Sequence, residues 1–181
     1  MTVARSIRRI GEGSPAVRAY TLVEVLIVVV ILGIAAALVV PNMSSTGVLR
    51  VQAAVRTIVA DIAEAQADSL AFQKGRAIVF HPTENRYSVV EVNGSTIDES
   101  LDTIRQTRLA GNDFGNFAFV SVDFNGGGDS LIFDEMGGPV TEPGGNSPSP
   151  NGIIKVTGSE QAFTITVEAY TGRITVKRTS G

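Results

Sequence analysis

Between Leu22 and Val40 the chain is apolar or small at every position but one, and the exception is a carboxylic acid, Glu24, close to the start of the run. An ionisable group within such a segment costs roughly 2.5–3.5 kcal/mol at a bilayer centre and less near an interface, so it is normally paired and functional. Glu24 therefore asks for a positive partner. The run is 19 residues long, and at about 1.5 Å per residue a helix of that length matches a hydrocarbon core of roughly 30 Å. Before it lie Arg5, Arg8, Arg9 and Arg18 against one acid, Glu12, a net charge of +3 over residues 1–19. The remainder keeps 11 of the 15 basic and 17 of the 18 acidic residues, net −6. Positive flanks stay on the cytoplasmic side, so the expected topology is N-terminus in, C-terminal part out.

Two processing schemes fit a basic lead followed by an apolar run. In one, residues 1–37 form a secretory signal cut at Ala35-Ala36-Ala37, and a β-rich protein is released. In the other, the cut falls between Ala19 and Tyr20 and the helix is kept, as it also is in a plain membrane anchor. Glu24 and the long polar lead favour retention.

Ala19-Tyr20-Thr21-Leu22-Val23-Glu24 resembles the prepilin peptidase site of type IV pilins and type II secretion pseudopilins, in which an aromatic residue becomes the new N-terminus and the fifth mature residue is Glu. Ala19 stands where Gly is usual. Pro41 also falls where these proteins commonly carry proline. The resemblance implies a 1–19 cytoplasmic leader, N-methylation at Tyr20, and a pairing of Glu24 with the Tyr20 amine of a neighbouring subunit that sets the stagger of assembly. The implied partners are prepilin peptidase, other major and minor pseudopilins, the inner-membrane secretion platform, and membrane lipid before assembly. The implied location is the bacterial inner membrane, single-pass, with the C-terminal part periplasmic, and then a pseudopilus filament.

From Val48 to Phe72 apolar residues recur at Val48, Val51, Val55, Ile58, Val59, Ile62, Ala65 and Leu70, the spacing of an amphipathic helix. A pilin-type helix is thus expected over 20–72, 20–40 transmembrane and 41–72 amphipathic. Gly33 weakens it and Pro41 should kink or break it. Beyond Gln73 the pattern shifts to short runs rich in Val, Ile, Phe and Thr: Ala77–Phe80, Tyr87–Val92, Phe117–Phe124, Leu131–Phe133, Ile153–Val156, Phe163–Ala169 and Arg173–Lys177. These read as strands, with Thr171-Gly172 as a hairpin connection. The expected fold class is α+β, a long N-terminal helix packed on an antiparallel sheet domain over 73–181. The order of runs from Phe133 to Val176 resembles the H-type minor pseudopilins and the related FimT pilins. That points to a minor pseudopilin near a filament tip, with a minor type IV pilin of pilus assembly or DNA uptake as the alternative.

Other features support weaker expectations. Asp123, Asn125 and Asp129 surround three glycines and could hold calcium, with Asp134 and Glu135 as further ligands, although no closing bidentate acid stands at the usual offset; no other cofactor is expected. Arg173, Lys177 and Arg178 could touch phosphates. The matching FimT element is Gly-Arg-x-Arg, and here Gly172-Arg173-Ile174-Thr175 lacks the second Arg, so a net charge of −6 sets the expectation against nucleic acid. His81 is the only histidine and is expected to face solvent or cap; with no cysteine and no base placed beside a nucleophile, no enzymatic role is expected. Residues 137–152 hold four prolines and five glycines and should form an exposed loop without regular structure.

Overall fold

A computed structural model of the chain describes residues 20–39 and 44–179. The chain divides into two compact units, residues 1–41 and 42–181. The first contains helix α1, Leu22–Val39, which runs unbroken through Gly33, so no interruption of the kind expected there is found. Pro41 lies outside the described residues.

The second unit opens with helix α2, Ser44–Phe72. Its apolar stripe is real. Val51, Ala54, Val55, Ile58, Ile62 and Ala65 are buried, whereas Leu70, expected in the stripe, is 54% exposed. Ten strands follow: β1 Arg76–His81, β2 Arg86–Asn93, β3 Thr96–Ile97, β4 Thr103–Arg108, β5 Ala118–Asp123, β6 Ser130–Phe133, β7 Pro139–Val140, β8 Gly152–Gly158, β9 Gln161–Val167 and β10 Ile174–Thr179. They form two antiparallel sheets, one of six strands in the order β3-β2-β1-β6-β7 with β4 also on β2, the other ordered β10-β9-β8-β5. The fold is α+β, as the sequence implied.

Strand β1 lies between β2 and β6 and is buried at five of its six positions, which explains its continuous apolar spelling Ala77-Ile78-Val79-Phe80. Strands β8 and β9 instead alternate. Ile154, Val156, Phe163, Ile165 and Val167 point inward, while Lys155, Thr164 and Thr166 face out. One core joins α2 to the inner faces of both sheets. At its centre the Phe80 ring lies 5.6–5.8 Å from those of Tyr87, Phe119 and Phe124, distances at which aromatic pairs attract. The Phe124 ring rests directly on Gly152, where an added Cβ would come within 2.1 Å of it, so no side chain fits at that position.

Segment 137–152 departs from its expectation. Pro139 and Val140 pair with β6 as β7, Val140 bridges Pro148, and Val140 joins Ala77, Val92 and Ile132 in a second apolar cluster. The Ser149 amide donates to the Pro139 carbonyl at 2.9 Å, and the Asn151 side chain accepts from the Ala169 amide at 2.8 Å. Only its tip, Asn146 to Pro148, and scattered neighbours are exposed. The apolar side chains of β1, β2 and β6 that point away from the main core need a cover, and the prolines and glycines shape a strap that supplies one.

Candidate functional site

The start of α1 is built by Thr21. Its hydroxyl accepts from the Glu24 amide at 3.2 Å, and its carbonyl accepts from Glu24 and Val25 at 3.1 and 3.2 Å. Thr21 is thus the N-cap and Glu24 the third helical residue, the T-x-x-E spacing of a capping box. The carboxylate sits in the first turn, where the helix dipole favours negative charge. This local role for Glu24 went unnoticed in the sequence, although the spacing spelled it out.

Behind Glu24 no side of the helix is covered. Leu22 is 85% exposed, Tyr20 79%, and every described large apolar residue from Val23 to Ile34 is at least half exposed. A helix that is apolar all round is stable only inside an apolar surrounding, whether lipid or other helices. Among the described residues no helix is long and apolar enough to cross a membrane. Side chains of α1 are described only as far as Ala36, short of the Leu22–Val40 run that the sequence marks out. Ala19, on the leader side of the proposed cut, is outside the described residues.

The remaining candidates do not converge. Asp123 accepts from the Gly127 amide at 2.7 Å, and Asn125 is engaged by Ser149 at 2.6 Å and by the Thr141 carbonyl at 3.1 Å. Asp129 contacts Ser130, while Asp134 accepts from the Met136 and Gly138 amides. These oxygens close turns and anchor the strap, and among the described residues no group of three or more His, Asp or Glu is placed to hold a metal. Arg173, expected in the last strand, precedes it and forks onto Glu168 at 3.0 and 2.5 Å. The arginine beside it holds the Glu168 carboxyl below its ordinary range. Lys177 and Arg178 are successive residues of β10 and point to opposite faces, so the three cations do not form one patch. His81 stands at the N-cap position of the short 3-10 turn Pro82–Glu84 without a side-chain cap bond; its partly exposed ring places Nε2 2.8 Å from Glu99, which Arg86 also approaches at 3.8 Å.

A buried polar network was missed. Tyr87 donates to Asp61 at 2.6 Å, Thr107 donates to the same carboxylate at 3.2 Å, and Arg105 joins Asp61 and Glu64 at 3.0 and 2.9 Å. It bolts α2 to β2 and β4. Burial, with Asp61 alongside, pushes the Tyr87 hydroxyl far above the usual phenol range.

Residues 15–40 match the family model described as the prokaryotic N-terminal methylation motif. The match supports a pilin-like subunit of the kind that builds type IV pili or type II secretion pseudopili, processed by prepilin peptidase, methylated, anchored at the inner membrane and assembled with other pilin-like subunits. Comparison with curated proteins and with solved structures finds no match.

Proposed function

We propose that the chain is a minor pseudopilin, a structural and non-enzymatic subunit of a type II secretion pseudopilus, inserted in the inner membrane before assembly with its sheet domain periplasmic. The observation that carries the reading is Glu24 in the first turn of a helix apolar on every side, within the matched methylation motif. Cleavage before Tyr20 would free an amine beside that turn. Desolvating a carboxylate and an amine together is better attested as a device for register than as a source of stability, so the Glu24 and Tyr20 pair sets the axial stagger between subunits. The likeness of the runs from Phe133 to Val176 to the H-type pseudopilins and the related FimT pilins supports a minor subunit, and with Arg173 held by Glu168 and a net charge of −6 over residues 20–181 the secretion reading is preferred to DNA uptake.

The test is incorporation of Glu24→Ala. Membrane insertion should persist while recovery in the sheared filament fraction is lost, and normal recovery would remove the proposed role. Secretion of cargo by cells lacking the chain separates secretion from pilus assembly: a secretion defect supports the pseudopilin, and a defect in surface pili or DNA uptake with intact secretion supports the minor pilin.

A further inference from the structure

Strands β8 and β9 are joined by two residues: Gly158 pairs with Gln161, and Ser159 and Glu160 alone make the reversal. Both take positive φ, 44° and 61°. That is the φ pattern of a type I′ hairpin, which favours Asn-Gly, and a serine and a glutamate in it each crowd their own Cβ against the backbone. Residues held this way persist only where surrounding contacts over-determine them, and such strain points to function.

The contacts that hold the turn come from the opening of α2 and from Gly115 beside it. The Ser159 hydroxyl donates to the Gly115 carbonyl at 2.8 Å, and a Cβ added to Gly47 would come within 2.5 Å of the same hydroxyl oxygen. A Cβ on Gly115 would meet the Gly47 carbonyl at 2.6 Å, and one on Gly158 would meet Val51 at 2.7 Å. Gly47 and Val51 are one helical turn apart on one face, so the hairpin tip lies along the first turns of α2. That stretch has little else to keep it helical. It opens Ser44-Ser45-Thr46-Gly47, weak helix formers in succession. Thr46, Leu49 and Arg50 are exposed, Gly47 and Val48 half-buried, and Val51 is the first side chain sealed from solvent among those described. Helical turns with so little apolar burial open locally at low free energy.

We propose that the strained Ser159-Glu160 turn is a releasable latch on residues 44–50. Seated on Gly47 and bonded to Gly115, it holds them as helix; lifted, it relaxes its own backbone and lets them unwind. Seven residues span about 10 Å as helix and about 24 Å extended, so release adds about 13 Å of chain between the sheet domain and α1. A membrane-held subunit then has a sheet domain that reaches a neighbouring subunit while α1 stays in place. That use rests on the reading of the chain as a filament subunit.

Hydrogen exchange on the full-length protein in detergent micelles tests the latch. Ser159→Ala should speed exchange in peptides covering 44–51 about fivefold, the loss of one hydrogen bond, and leave 55–72 unchanged. Gly47→Ala separates the latch from helix propensity: it should slow exchange about fivefold in the Ser159→Ala chain, where alanine only favours the helix. In the parent its Cβ displaces Ser159, and the slowing should vanish. No response to Ser159→Ala, or equal slowing in both chains, would overturn the latch. Release is tested by locking it. Gly47→Cys/Ser159→Cys sets two thiols side by side in a chain with no other cysteine. In its own cells the oxidised chain should insert in the membrane but be lost from the sheared filament fraction, and dithiothreitol should restore it. Failure of the bridge to form would place the turn away from Gly47 and overturn the latch, and normal recovery of the oxidised chain would overturn its release; both leave the subunit reading standing. Absence of the parent chain from that fraction would overturn the subunit reading, and the exchange cycle would still decide the latch.

Discussion

Helices α1 and α2 belong to one chain and place their apolar residues in opposite ways. In α1 they surround the helix and every described large one is at least half exposed, whereas α2 confines them to a stripe with Ile58 and Ile62 sealed from solvent. A stripe can be satisfied by the chain's own sheets; a fully apolar cylinder cannot. The folding free energy of α2 is therefore internal, and that of α1 is supplied by lipid or by neighbouring subunits. Glu24 on α1 and Asp61 on α2 repeat the contrast, since Asp61 finds its partners within the chain at 2.6–3.2 Å while the Glu24 carboxylate has no ion-pair partner among the described residues.

The sharpest way to break this contrast is to remove each acid. Glu24→Ala should reduce filament incorporation to background with no change in the melting temperature of the sheet domain, and a shifted melt would place Glu24 inside the folding unit. Core truncation comes next. Ile58→Ala should destabilise the sheet domain by about 2–5 kcal/mol in denaturant unfolding, while Val29→Ala on α1 should leave that transition unmoved. Asp61→Ala should cost about 1–3 kcal/mol, because it strands the buried Tyr87 hydroxyl. The raised Tyr87 pKa supplies a pH signature. Its neutral form is favoured by folding, so that contribution is whole below the unfolded phenol value of about 10 and falls as pH rises past it, because the unfolded chain then releases a proton that the folded chain retains. Tyr87→Phe should flatten the loss of stability above pH 10. The smallest effect is expected at Arg173→Ala. Its pair with Glu168 is solvent-exposed, and such pairs contribute little, so the melting temperature should stay within error of the parent.

How legible each region was follows from what holds it. All seven strands read from the sequence occur, because their inward positions are β-branched or aromatic. Strand β4, Thr-Ile-Arg-Gln-Thr-Arg, escaped because its helix-facing residues Arg105 and Thr107 are held by hydrogen bonds to Asp61 and Glu64 rather than by apolar burial. The burial of Asp61 leaves no mark in the sequence, since periodicity ranks a carboxylate as polar and says nothing of a tyrosine 26 residues away that donates to it. Strands β3 and β7 are two residues long and carry no periodicity to read. The strap over 137–152 looked structureless because its order comes from contacts such as Ser149 with Asn125, distant in sequence. Deleting 141–151 therefore removes the Pro148 and Ser149 contacts that brace β7, whose Val140 covers Ala77, Val92 and Ile132, as well as an exposed tip. The start of α1 was legible because Tyr20, Glu24 and the apolar run lie side by side in the sequence, and only the capping role of Thr21 was overlooked.

Mass spectrometry of the intact protein from its own cells tests the retained helix most directly. The account predicts a chain beginning at Tyr20 with a methylated amine and carrying all of α1. A mature chain that begins after Ala37 would have lost both the apolar cylinder and Glu24, and would contradict it.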